Sequence, residues 1–369
     1  MTEIDQYSID NHKLHLHPQR VAQWLDAGSD WDKLKKVYPI YVEIASQGSC
    51  NHRCIFCSVD YIGYKNVSLN SDALYRCLRD MAEHGIKSVM YAGEGEPLLA
   101  RNIGSTINYT KEVGIDVAVT TNATALTDRL ARECLSSITW VKASINGGTP
   151  EIYANIHKTK ELDFHRVIDN LANAVQLRDD NGWKTTIGAQ IVLIPENRNS
   201  VAQLAGIARG IGLDYLVVKP YSQNPNSVET AARGYDQFDY RHCENLAKEL
   251  AEFNSDKFKV VYRERTMATL AQLDRAYPKC QSTPMFWAYI MANGDVYGCG
   301  AHLLDDKFRY GNINEQSFSE IWEGDKRKAN VEYVANQLDI STCRKNCRME
   351  HVNRYLWETK NPKEHVNFI

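Results

Sequence analysis

Cys50, Cys54 and Cys57 stand in the run GSCNHRCIFCSVDYIGY with C-x3-C-x2-C spacing. Three thiolates on one tight loop can hold three corners of a cubic iron–sulfur cluster and leave the fourth iron without a protein ligand. A fourth cysteine would close such a cluster into a pure electron carrier. The open iron is instead a place for a small molecule to coordinate. Other uses of these thiols fit less well. A zinc knuckle pairs C-x2-C with a second such pair and has no need of a third cysteine in the loop. A disulfide with one thiol left over suits a secreted chain, and the N-terminal run MTEIDQYSIDNHKLHLH lacks the apolar centre of a signal peptide.

Four further cysteines, Cys280, Cys299, Cys343 and Cys347, lie in the last quarter of the chain, with Gly294 five residues ahead of Cys299 in ANGDVYGCG. Four thiolates can saturate a [4Fe–4S] cluster, which favours electron transfer over substrate ligation. A structural zinc held by four cysteines is the rival, although the spacing is not that of paired knuckles. The remaining thiols, Cys77, Cys134 and Cys243, share helical faces with leucines, methionine or alanine and read as small core residues rather than hydrogen-atom donors.

The first loop, with Phe56 just before its last cysteine, resembles the signature of the radical S-adenosylmethionine (SAM) superfamily. In that family the amine and carboxylate of SAM chelate the open iron. Gly93-Glu94-Gly95-Glu96-Pro97, one strand and helix later, is similar to the family's GGEP turn, which hydrogen-bonds the methionyl ammonium; Glu94 replaces its first glycine. Thr121 and Asn122, at the end of the next apolar run, are then implied to meet the ribose hydroxyls. Ser144 and Asn146 resemble an S-x-D element with asparagine for aspartate, Ser144 contacting ribose or carboxylate oxygens. By pleat alternation Gln190 and Lys219 point into the same mouth, toward SAM or substrate, with a salt bridge as the plainer role for Lys219. Each of the strand-end residues also suits an ordinary cap. The G-x4-C hairpin resembles the auxiliary-cluster modules called SPASM and twitch. A full SPASM module carries about seven cysteines for two clusters, so four fit the shorter twitch form with one.

These residues need a scaffold, and the chain alternates strand-like and helical runs to supply one. Apolar runs at 38–45, 88–94, 116–122, 140–147, 186–195 and 214–221 are separated by amphipathic segments, several closing on glycine. Repeated β-then-α units imply a parallel sheet. The fold expected is α/β: a partial (β/α)6 TIM-like barrel, open on one side, with its chemistry at the C-terminal strand ends, followed by a small cysteine-rich auxiliary-cluster module. The divisions expected are a helical extension over 1–37, the barrel core over 38–225, a connecting helix and strand over 226–277, and the auxiliary module with its tail over 278–369.

Composition bounds the function. The 369 residues are 43% hydrophobic and 24% charged, as in soluble globular chains, and the net charge of −3 offers no broad basic face for nucleic acid. No run approaches membrane-spanning length, and ten cysteines suit a reducing cytosol. The resemblance implies two [4Fe–4S] clusters, SAM, and an external one-electron reductant such as flavodoxin or ferredoxin. It also implies a 5′-deoxyadenosyl radical that removes hydrogen from substrate. A small polar metabolite (a sugar, nucleoside or aminocyclitol) undergoing oxidation or epimerisation is the expected substrate class, because fewer than 40 residues precede the first strand, too few for a leader-peptide-binding domain. Maturation of a ribosomal peptide is second, RNA modification third, and a non-catalytic iron–sulfur protein a remote fourth. No catalytic hydrogen donor or base is identified.

Three lesser features carry expectations. His12, His15 and His17 suit an exposed polar strand better than a metal site; MFWAYIM (285–291) suits hairpin packing better than a binding surface; and Arg344, Lys345 and Arg348 suit solvation, with cluster neutralisation or an anionic substrate as alternatives.

Overall fold

Each of the six apolar runs becomes a parallel strand, with helices returning the chain between them. The computed structural model describes residues 7–240, 244–271 and 275–368. The strands are β1 (Tyr41–Ile44), β2 (Ser88–Tyr91), β3 (Asp116–Thr121), β4 (Trp140–Ser144), β5 (Thr186–Leu193) and β6 (Tyr215–Pro220). They lie side by side in chain order. The sheet also continues past both ends. β7 (Lys259–Tyr262), from the segment expected to be a connector, pairs parallel with β6, Val217 opposite Val261. β8 (Trp287–Ile290), from the cysteine-rich module, pairs parallel with β1, Tyr41 opposite Trp287. β9 (Asp295–Tyr297) and β10 (Arg309–Asn312) then complete an antiparallel edge beyond β8.

Alternation along the strands builds two environments. Val42, Ile44, Val89, Tyr91, Val117, Val119 and Val141 face the helices and share one apolar core with Leu74, Leu78, Ile107 and Leu171. Burial of that face supplies the main driving force for the barrel wall. Their neighbours on the opposite face, among them Glu43, Thr120, Lys142, Gln190 and Lys219, line a cavity of ≈ 750 Å³. Cys77 and Cys134 are buried in the helix-side core, as small hydrophobes are, while Cys243 lies outside the described residues.

The N-terminal helix Pro18–Ala27 buries Val21 and Trp24 against Met285, Phe286 and Leu356 of the C-terminal part. The MFWAYIM run is thus interior packing. His12, His15 and His17 do not form an exposed strand: Leu14–Leu16 is a 3-10 turn, and the His12 ring lies 4.8 Å from that of Tyr355 and lines the cavity.

Candidate functional site

The cysteine loop leaves β1 and is docked by backbone bonds onto the end of helix Pro150–His157: Arg53 N donates to His157 O at 2.9 Å and Ile55 N to Ile156 O at 2.9 Å. Sequence reasoning missed this helix. Its signal was present in Thr149-Pro150, a capping threonine whose side chain accepts from Ile152 N, followed by proline at the first helical position. The missed helix brings His157, whose Nδ1 is 3.1 Å from the Cys54 sulfur. Its Nε2 hydrogen donates to Ile145 O at 2.7 Å, which leaves Nδ1 facing the thiol. Burial pushes the Cys50 thiol up to about 11, and burial with the neighbouring thiols pushes Cys54 well above the ordinary range. Deprotonating these sulfurs therefore calls for a cationic partner, which iron supplies.

The turn at Gly93–Pro97 lies directly on this loop. A side chain at Gly95 would come within 2.2 Å of Gln47 O and 2.5 Å of Ser49 O, and Glu96 N donates to Ser49 O at 3.0 Å. Both carboxylates of the turn are already engaged by protein. Glu96 accepts from Thr121 Oγ1, from Asn122 N at 2.7 Å and from Leu98 N at 3.1 Å; burial nonetheless pushes it up to about 7. Glu94 accepts from Tyr289 Oη at 2.7 Å and Ala292 N at 2.9 Å, in the hairpin formed by β8 and β9.

Several residues expected at the ligand have partners within the protein. The Thr121 hydroxyl is spent on Glu96 and on Ala123 N, because the pleat turns Thr120, not Thr121, to the cavity. Asn122 donates to Asn51 Oδ1 at 2.7 Å and accepts from Thr124 N, so its side chain braces the cysteine loop. Asn146 is fully buried; its Oδ1 accepts from Val192 N at 2.7 Å and its carbonyl from Asn197 Nδ2 at 3.0 Å. It ties β4 to β5 and does not reach the cavity. Ser144 does stay on the cavity face of the sheet, accepting from Gln190 Nε2 at 2.7 Å, while Gln190 Oε1 is buried without a partner. Lys219 lines the cavity, and among the described residues it has no salt bridge.

Cys280, Cys299, Cys343 and Cys347 come together around a second cavity of ≈ 210 Å³. A tetrahedral zinc would hold its sulfurs roughly 3.8 Å apart. Among the described residues, the single group of three donor atoms mutually within 4.8 Å is His52, Cys54 and His157. No three of these four sulfurs lie mutually within 4.8 Å, a spread that suits a cubic cluster better than a single ion. The wall between the two cavities is shared: Ser58, Val59, Arg344, Cys347 and Arg348 border both. Arg344 and Arg348 thus line a cavity, Arg344 half-buried and Arg348 with 46% of its side chain still exposed. Arg348 reaches Glu43 at 2.9 Å, and Arg344 Nε donates to Ser222 Oγ at 2.9 Å.

Residues 44–206 match the radical SAM superfamily, and residues 280–348 match SPASM, an iron–sulfur cluster-binding domain. The chain carries a radical SAM domain followed by a SPASM domain. These two domains imply SAM and two [4Fe–4S] clusters, and the residues fit: three half-buried thiols beside the Gly93–Pro97 turn, and four thiols ringing a cavity. The radical SAM chain is 22% identical over 303 residues to the tungsten-containing aldehyde ferredoxin oxidoreductase cofactor-modifying protein of Pyrococcus furiosus, covering 78% of this chain and 81% of that one. It is 28% identical over 197 residues to the dTDP-4-amino-4,6-dideoxy-D-glucose ammonia-lyase of Streptomyces venezuelae, half of this chain but only 40% of the lyase. Among solved structures, Streptococcus suis SuiB bound to precursor peptide SuiA aligns with a TM-score of 0.64 at 17% identity, covering 85% of this chain and 69% of SuiB. That likeness is one of fold. No helix among the described residues is long and apolar enough to cross a membrane.

Proposed function

We propose that this radical SAM enzyme removes hydrogen from a small polar metabolite held in the ≈ 750 Å³ cavity, with oxidation as the outcome. One observation carries the reading: the same cavity is bordered by Cys57 of the first thiol set and by Cys347 of the second. A substrate there borders both the site of hydrogen removal and a site that can take an electron. When bound, SAM and its cluster supply reductive C–S cleavage and a 5′-deoxyadenosyl group that abstracts hydrogen, given one electron from an external reductant such as flavodoxin or ferredoxin. The chain positions the substrate and excludes water. The Gly93–Glu96 turn would hold the methionyl end, and Gln190, bonded to Ser144 Oγ, offers a polar side chain to the cavity. In an oxidation the substrate loses the abstracted hydrogen atom, then a proton and an electron. Cys280, Cys299, Cys343 and Cys347 would hold the cluster able to take up that electron.

Epimerisation would instead need a hydrogen returned to the opposite face. Cys77 and Cys134, the described thiols outside the two ligand sets, are sealed in the helix-side core, which favours oxidation. The likeness to SuiB, solved with its precursor peptide, favours peptide maturation as a second reading. Against it, residues such as Ile9, Asn11 and Leu14 cover the cavity's side and restrict it to a volume suited to small ligands.

Anaerobic iron analysis tests the proposal. The reconstituted parent is expected to hold about eight irons, and a variant with Cys50, Cys54 and Cys57 changed to alanine about four. The reduced parent, but not the variant, should release 5′-deoxyadenosine from SAM. Zinc in place of the second set of irons, or no SAM cleavage by the parent, would overturn it.

A further inference from the structure

The cavity that receives substrate is charged in a way the rest of the chain is not. Besides the exposed Lys13, five cationic side chains from four parts of the fold border it: Lys142 on β4, Lys219 on β6, Arg263 just after β7, and Arg344 and Arg348 beside the auxiliary cysteines. Two of them have carboxylate partners, Arg263 with Asp10 at 3.1 Å and Arg348 with Glu43 at 2.9 Å. Arg344 has a serine hydroxyl. Among the described residues, Lys142 and Lys219 have no hydrogen-bond or ion-pair partner. The Lys142 ammonium has only the Trp140 ring, 5.1 Å away. The overall charge of the protein is −3, so this concentration of cations is local rather than a property of the composition.

Charged groups drawn out of bulk water are normally paired, and both lysines are half-buried in the cavity wall without such a partner. Burial, then Arg348 and Arg263, pushes Lys142 down to about 7; burial, then Lys142, holds Lys219 well below the ordinary lysine range. The thiolate-held clusters would offset the arginines beside Cys347, and an anion in the cavity would do the same for the two lysines. SAM does not supply it. Its sulfonium and ammonium outnumber its one carboxylate, so its net charge adds to the excess. A single substrate carboxylate would offset one cation and leave two. A phosphate dianion matches both lysines, and lysine is a common partner for phosphate oxygens.

We infer that the substrate is a phosphorylated metabolite whose phosphate is held between Lys142 and Lys219, with its hydrogen-bearing carbon directed toward the Cys57 end of the cavity. The inference rests on the reading of that cavity as the substrate chamber. Lys142 stands opposite Gly188 and Lys219 opposite Val192, on strands to either side of β5, so a phosphate bridging them lies over Gln190. Gln190 Oε1, buried and unpartnered, is placed to accept from a hydroxyl of the attached metabolite.

Calorimetric titration of the reconstituted, SAM-loaded protein with inorganic pyrophosphate, inorganic phosphate and acetate tests this directly. Pyrophosphate or phosphate is expected to bind at least about tenfold more tightly than acetate. Lys142→Gln and Lys219→Gln are each expected to weaken the phosphate anions by about tenfold, and Lys142→Arg to restore much of the loss. Iron content and circular dichroism of each variant guard against simple misfolding. Pyrophosphate tighter than phosphate identifies a nucleoside diphosphate type of substrate, and the reverse a phosphomonoester. Acetate binding as well as either, no anion binding, or unchanged pyrophosphate affinity in the double glutamine variant would each overturn the inference. Release of 5′-deoxyadenosine by the parent without added anion is read separately. Its absence beside intact phosphate binding would fault the proposed chemistry and spare the phosphate site.

Discussion

Lys142 shows how a residue that looks ordinary in sequence becomes costly in the fold. It lies two residues before Ser144 on the same face of β4, so the alternation that directs Ser144 to the cavity directs Lys142 there too. The groups facing it are Arg348, Arg263 and Lys219, with Glu43 as the opposing charge. Its pKa in the folded protein, about 7, lies below the ordinary value of 10.5, so the neutral form is favoured on folding. A group depressed in this way contributes fully above its unfolded pKa, and that contribution is lost as the pH falls toward the folded one. Lys142→Met should therefore raise the melting temperature of the anion-free protein, with a gain that grows from about pH 10.5 down to about pH 7 and is constant below. Thermal melts at pH 6, 8 and 10 check it; an equal gain at all three would mean that Lys142 carries no buried-charge penalty.

At the scale of elements, the cluster loop is held by the neighbours that crowd it. Gly95 packs on Gln47 and Ser49 at distances no side chain could occupy, and those contacts are with backbone atoms that cannot swing away. Asn122, at the end of β3, reaches Asn51 within the loop, and helix Pro150–His157 fixes its other side. A Gly95→Ala substitution should push the loop out of register with the turn and cost its cluster. The expected reading is about four irons retained out of about eight after anaerobic reconstitution, with the second set intact. Full iron content would show that the loop yields without losing its thiol geometry. The turn residues were legible as a ligand-binding motif; that two of their carboxylates would be consumed within the protein was not, since Tyr289 is 195 residues away from Glu94 in the chain.

Across the whole molecule, the cysteine-rich module is not an appendage. β8 extends the parallel sheet beside β1, and Glu94 in the SAM-side turn accepts from Tyr289 and Ala292 in the module's hairpin. Burial raises the Glu94 carboxyl, and the two donors offset that effect. Replacing Tyr289 with phenylalanine keeps the ring and removes one donor from a buried carboxylate. A loss of about 1–3 kcal/mol is expected, seen as a lower melting temperature of the reconstituted protein with unchanged iron content. No change in melting would mean that the Glu94 tie does not couple the two parts.

Much of this architecture was legible one segment at a time. The six β/α runs, the two thiol sets and the core role of Cys77 and Cys134 depend on local periodicity and on the coordination chemistry of cysteine, both of which are written in consecutive residues. The same periodicity assigned Gln190 and Lys219 to one face of the sheet. What it could not decide was which polar side chains would find partners inside the protein. Thr121, Asn122 and Asn146 looked like ligand contacts because small polar residues at strand ends serve ligands and structural bonds equally well. Only the approach of Glu96, Asn51 and β5 commits them to structure. Equally, Lys142 and Lys219 gain their meaning from what the fold leaves out. Hydrogen bonding and charge pairing act over a few ångströms, and the chain brings such distances about only when distant segments meet.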